Sequence, residues 1–165
     1  MNKKDMKVIL PGSYDPITVG HMEIVRRAAL EYGEVYVVAF INPNKKYLFN
    51  ISERVSMMML ACESLDNVLV SYSDGLVIDY MREHGIDRIV KGYRNDADLK
   101  WEKEQAEWNL THGGYPTELI LCDERMKDIS STAVREALAK GRIPDELLPS
   151  EVAEYLSGIK KKGYL

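Results

Sequence analysis

Three groups of side chains in this sequence could handle an anion. The first is Thr18 with His21, a hydroxyl and an imidazole near what reads as the start of a helix. The second is a set of cations in two distant stretches: Lys45 and Lys46 after Asn42-Pro43-Asn44, and Lys91 and Arg94 flanking Gly92. The third is Ser130, Ser131 and Thr132, three hydroxyls in a row with Lys127 before them and Arg135 after. A helix start leaves N–H groups without intrahelical partners and carries the positive end of the helix dipole, so hydroxyls and cations gathered there suit phosphate. No activated Ser or Cys nucleophile stands among these residues. Neither of the common phosphate-loop patterns, G-x-x-x-x-G-K-[ST] or G-x-G-x-x-G, occurs in the chain.

Such groups need a scaffold that brings distant stretches together. Val8, Ile9 and Leu10 form a short apolar run, and Pro11-Gly12 and Asp15-Pro16 end it with turn residues. From Gly20 the period changes, with Ile24, Val25, Ala28, Ala29 and Tyr32 on one helical face and His21 in the first turn. The segment therefore reads as strand, tight loop and helix. Val35 to Phe40 is a continuous apolar run of the kind buried on both faces of a parallel sheet. The stretch I-N-P-N-K-K-Y-L-F-N-I is a long loop carrying Lys45, and loops of that length are usually functional. Ser52 is expected to cap a helix with Val55, Met58, Met59 and Cys62 buried.

A third strand is expected at Val68 to Val70. A short helix follows that begins near Leu76, buries Val77, Tyr80 and Met81, and stops at Gly85. Arg88, Ile89 and Val90 make a fourth strand running into K-G-Y-R, with Asp96 capping a helix that reaches about Asn109 and carries Trp101, Glu102, Ala106 and Trp108. T-H-G-G-Y-P reads as loop with His112 as a turn residue, and His84 reads as a helix-end charge. Glu118 to Cys122 is the fifth strand. The hydroxyl run then opens a helix with Val134, Ala137 and Leu138 inside, and a last helix buries Val152, Tyr155, Leu156 and Ile159. Strands alternating with helices from end to end predict an α/β, Rossmann-like fold of about five parallel strands with helices on both faces. With no linker or repeat, one domain over residues 1–165 is expected.

The totals narrow the function. At 45% hydrophobic and 29% charged the chain has ordinary globular composition. Its formal net charge of −4 argues against a nucleic-acid partner, so a polyanionic ligand must find a local cluster of cations. Cys62 and Cys122 make no disulfide framework and no zinc spacing, which fits a reducing cytoplasm. The N-terminus has no signal-peptide core and no run is long enough to span a membrane.

Two separated stretches, G-S-Y-D-P-I-T-V-G-H and I-S-S-T-A-V-R, together resemble the nucleotidylyltransferase superfamily, whose first motif ends in (H/T)-x-G-H. Thr18 at the first position of that motif, P-N-K-K between, and K-G-Y-R before an acidic helix resemble the phosphopantetheine adenylyltransferases over nearly the whole chain. The resemblance implies transfer of the adenylyl group of ATP to 4′-phosphopantetheine, with magnesium accompanying the nucleotide, in a cytoplasmic homohexamer. It also implies roles by position. Ser13 and Tyr14 match ATP contacts, Ser13 also lying near the acceptor phosphate, and His21 matches a histidine assigned to the transition state. Lys45 and Lys91 match contacts to the acceptor, and Leu76 an apolar contact with its arm. Gly92, Tyr93, Arg94 and Glu102 match nucleotide-binding positions, as do Met126, Lys127, Asp128, Ile129, Ser130, Ser131 and Thr132. Two departures stand out: Lys91 replaces a frequent Arg, which removes a planar bidentate fork, and Met126 to Asp128 differ from an often aromatic stretch.

Overall fold

The structure is a computed structural model that describes residues 1–163; residues 164 and 165, the end of the expected 1–165 domain, lie outside the described residues. Five strands form one parallel sheet: β1 (Lys7–Gly12), β2 (Glu34–Phe40), β3 (Val68–Ser73), β4 (Arg88–Tyr93) and β5 (Thr117–Leu121). Their order is β3-β2-β1-β4-β5. Six helices connect and cover them: α1 (Val19–Glu31), α2 (Ile51–Cys62), α3 (Val77–His84), α4 (Asp96–Gly113), α5 (Ser131–Ala139) and α6 (Ser150–Lys161). The expected Rossmann-like α/β architecture is borne out.

Side chains alternate across the sheet, and the alternation divides the core in two. Val8, Leu10, Val35, Val37, Ala39 and Val90 face the larger layer with Met22, Val25, Met57, Met58, Val134, Val152 and Leu156 from α1, α2, α5 and α6. Ile9, Val38 and Ile89 face the opposite way, onto Tyr80 and Met81 of α3. The central strands are thus apolar on both sides. Gly92 belongs to the same parity as Val90 and so faces α1. A Cβ there would lie 2.7 Å from Ile24, so glycine lets α1 sit close against β4.

Several local expectations are corrected. The cap of α2 is Asn50, whose side chain accepts from Glu53 N while Glu53 reaches back, a capping box two residues before Ser52. The buried stripe is Arg54, Met57, Met58, Ala61 and Cys62, with Met59 exposed. β3 continues to Ser73, and β4 takes in Lys91, Gly92 and Tyr93 instead of ending before them. Asn95, not Asp96, caps α4, which runs to Gly113 and buries none of its residues. His112 therefore belongs to the last helical turn, stacked on Trp108, and His84 is stacked on Tyr80.

Candidate active site

The strand order places a topological switch between β1 and β4, because β2 and β3 extend one way and β4 and β5 the other. Ligands of open α/β sheets bind at the carboxyl ends of strands flanking such a switch. Here the two strands pair only through Val8 with Arg88 and Ile9 with Ile89. Two residues further on, Pro11 has no N–H to continue the ladder. Its carbonyl instead accepts from Lys91 Nζ at 3.3 Å. The strands part beyond that point and open a cleft.

The cleft has two lobes. One, of about 360 Å³, lies among Gly12, His21, Gly92, Arg94, Ser130 and Thr132. The other, of about 300 Å³, lies among Phe40, Tyr47, Val77, Ile89, Trp101 and Asn109. Pro11, Gly12, Ser13, Lys45, Lys91 and Glu102 line both. Each lobe is of the size that takes a small organic ligand, roughly 300–1,000 Å³.

At the start of α1, Thr18 is the N-cap and His21 the third helical residue. Thr18 Oγ1 accepts from His21 N at 3.3 Å, and the Thr18 N–H donates to His21 Nδ1 at 3.0 Å. The cap and the cleft-facing imidazole are one device. Because Nδ1 accepts, the neutral ring carries its proton on Nε2, an assignment made from the hydrogen bonds. Burial, and then Lys91 and Arg94 nearby, push the imidazole down from 6.5 to about 4. At neutral pH His21 is an uncharged donor beside two cations.

The other groups are held with similar definition. Lys45 Nζ donates to Ser13 Oγ at 3.0 Å. Lys91 stands between Pro11 O and Glu102 Oε1, 3.4 Å away. Arg94 Nε donates to Asp98 Oδ2 at 2.9 Å. Ser130 caps α5 by accepting from Ala133 N, Ser131 Oγ donates to Pro16 O at 2.8 Å, and Thr132 Oγ1 accepts from Arg135. Only Ser131 spends its O–H within the chain, so the start of α5 offers a ligand its N–H groups and the O–H donors of Ser130 and Thr132.

Not every expected residue reaches the cleft. Tyr14 lines it, but at φ 49° its side chain is buried and its hydroxyl is spent on Leu10 O at 2.8 Å, leaving the ring 4.9 Å from that of His21. Tyr93, Met126 and Ile129 line the first lobe. Lys127 and Asp128 do not, and Lys127 pairs with Glu124 at 2.8 Å on the surface. Leu76 is the exposed N-cap of α3 and lines neither lobe, while its neighbour Val77 lines the second.

Two residues at the site were not singled out from sequence. Asp15, read only as a turn residue, is 3% exposed and accepts from Leu48 N and Phe49 N at 2.8 and 2.9 Å. Arg54 is 2% exposed and donates to Ser13 O at 2.9 Å. Arg54 shares the helical period of Met57, Met58, Ala61 and Cys62, and a cation at the head of that stripe hides it from a count of apolar residues.

Residues 9–137 match the family described as cytidylyltransferase-like. The chain is also similar to proteins named phosphopantetheine adenylyltransferase. The one from Corynebacterium glutamicum strain R is 41% identical over 150 residues, covering 90% of this chain and 94% of the relative. The one from Corynebacterium efficiens is 39% identical over the same shares.

Proposed function

This chain belongs to the phosphopantetheine adenylyltransferase family, and from that premise we propose that it joins ATP to 4′-phosphopantetheine, a step of coenzyme A biosynthesis. The products are dephospho-coenzyme A and pyrophosphate. The acceptor is a phosphate monoester with a second pKa near ~6, so at neutral pH it is already largely a dianion and needs no general base. Its oxygen attacks the α-phosphorus in line, and the new P–O bond forms as the bond to pyrophosphate breaks. No covalent enzyme intermediate is involved. The obstacle is an anion approaching a polyanion, which makes positioning and charge neutralisation the whole task.

The observation that carries this reading is the state of His21: neutral, with Nδ1 occupied by the Thr18 N–H, in a cleft also lined by Lys45, Lys91 and Arg94. Its Nε2–H can follow the charge that builds on an α-phosphate oxygen without a change of protonation. Lys45 and Ser13 hold the acceptor phosphate, and Lys91 serves where the two lobes meet. Arg94 and the N-terminus of α5 hold the nucleotide phosphates, with Gly92, Tyr93, Glu102, Met126 and Ile129 to Thr132 around the nucleotide. Magnesium accompanying ATP would supply further neutralisation; the cleft carboxylates Asp15, Asp98 and Glu102 are engaged by amides or cations of the chain, so none of them is free to serve as a dedicated ligand.

The proposed assembly is a homohexamer in the cytoplasm. Trp101, Trp108 and Leu110, exposed on a helix with no buried residue, support a covered α4, and the free thiols Cys62 and Cys122 suit a reducing compartment. Light scattering on the purified protein tests the assembly. The reaction is tested by incubating the protein with ATP and 4′-phosphopantetheine and weighing the product. Dephospho-coenzyme A with one pyrophosphate is expected; turnover of another phosphate acceptor in its place overturns the reading.

A further inference from the structure

Lys45 is exposed on the loop between β2 and α2, and one contact, to Ser13 Oγ, ties it to the loop between β1 and α1. A long side chain on a long loop has much rotamer and backbone freedom to lose, and one exposed hydrogen bond offsets little of it. What fixes the two loops lies beneath that contact. The Asp15 carboxylate, on the first loop, takes two successive amides of the second, Leu48 N at 2.8 Å and Phe49 N at 2.9 Å. Arg54, one turn into α2, crosses the other way. Its Nη1 donates to Ser13 O at 2.9 Å, and its guanidinium carbon lies 3.9 Å from the ring centroid of Tyr47. The Tyr47 hydroxyl in turn accepts from Asn42 N at 2.8 Å, which bridges the base of the Lys45 loop.

The two buried charges therefore act reciprocally. The anion of the first loop is bound by the second, and the cation that follows the second is bound by the first. Neither is matched by a conventional partner. Arg54 has no carboxylate within 4.0 Å among the described residues, and its Nε has no hydrogen-bond partner. Asp15 reaches a cation only at 4.0 Å, Nη1 of Arg135. Burying charge is a poor way to gain stability, because desolvation offsets the attraction. A carboxylate clamped by two amides, and a guanidinium fixed by a carbonyl and an aromatic face, are good ways to set a register. Resting on the acceptor role proposed for Lys45, we propose that Asp15 and Arg54 are positioning residues that lock the Lys45 loop onto the Ser13 loop and so set the affinity for the phosphorylated acceptor.

The test is kinetic. Asp15→Asn keeps one acceptor oxygen and puts an NH₂ group against an amide N–H. Arg54→Met removes the charge at similar length, and Arg54→Lys restores charge without the fork. KM for 4′-phosphopantetheine should rise about ten-fold in D15N and R54M while KM for ATP stays within about two-fold, and R54K should recover part of the loss. In a Lys45→Ala background the D15N effect should disappear, since a residue acting through Lys45 has nothing left to position. Equal rises in both KM values, or a D15N effect that survives undiminished in K45A, overturns the proposal. Should D15N fail to fold, R54K and Tyr47→Leu, which leave Asp15 in place, carry the same comparison. If K45A alone leaves acceptor KM unchanged, the acceptor reading falls and this proposal with it. If K45A raises it and neither D15N nor R54M does, only the positioning proposal falls.

Discussion

The two ends of the sheet differ in how completely their charges are balanced. At the amino end cations meet carboxylates: Lys3 with Glu31 at 3.1 Å, Lys7 with Glu34 at 3.4 Å, and Arg88 with Glu118 at 4.0 Å. Arg88 also donates to the Tyr32 hydroxyl at 3.0 Å. At the carboxyl end Lys91 meets Glu102 at 3.4 Å and Arg94 meets Asp98 at 2.9 Å, but Lys45 has no carboxylate within 4.0 Å among the described residues, and Asp15, 4.0 Å from Arg135, is occupied by amides. Arg54 adds a further cation beneath. A chain of net charge −4 thus keeps a positive surplus where its strands end. Titrating groups register the difference. Burial followed by Lys91 and Arg94 drives the His21 imidazole down to about 4, whereas burial followed by a hydrogen bond to Glu118 drives the Tyr32 phenol up. Charge balanced within the chain serves the fold; charge left over is available to a ligand.

The comparison is tested most severely at His21. His21→Ala should cut kcat by on the order of 10²- to 10³-fold with KM for ATP changed only a few-fold, read by pyrophosphate release. Turnover within a few-fold of the parent would reduce the imidazole to a helix cap. The second largest effect is on stability. Since the folded pKa of His21 lies below its ordinary 6.5, the unfolded chain binds a proton between those values that the folded chain refuses. Stability from this group is complete above about 6.5, falls as pH falls through the window, and stops falling below about 4. His21→Asn should therefore lose less stability than the parent between about pH 7 and 4.5, by about 2 kcal/mol in urea unfolding. Parallel losses would mean that neither burial nor the cations of the cleft hold this ring neutral. A smaller change is expected of Arg94→Ala: a roughly ten-fold rise in KM for ATP with acceptor KM nearly constant. The reverse pattern would exchange the two lobes.

The same division decides what could be read from the sequence. β2 announced itself because a strand buried on both faces is apolar throughout, and the face of α1 because its inner residues recur with the helical period. His21, Lys45, Lys91 and Arg94 were legible as chemical types at loop and helix starts. The phase of α2 was not, because a buried Arg54 contradicts the expectation that cations face water. α4 buries nothing, so its period carried no core signal and its end was placed short of Gly113. Asp15 escaped notice for a different reason. Its partners lie 33 and 34 positions away, and a carboxylate that accepts backbone amides leaves no pattern in the side chains it binds.

The amino end supplies the control that can break the contrast, with the smallest effect. Arg88→Met removes the donor to Tyr32 and the ion pair to Glu118 but keeps most of the length packed along β4. Both side chains are about a quarter exposed, at 27%, so solvent screens the pair and the loss should be about 1 kcal/mol, or ~2–4 °C in Tm. Kinetics should not follow, because the substituted position lies at the start of β4 while Lys91 and Arg94 stand at and beyond its end. Unchanged kcat and both KM values with a lowered Tm sustain the division between balanced and surplus charge. A fall in kcat/KM for either substrate at unchanged Tm would mean that the pairs at the amino end reach the cleft through β4, and the two ends of the sheet would have to be treated as one electrostatic unit.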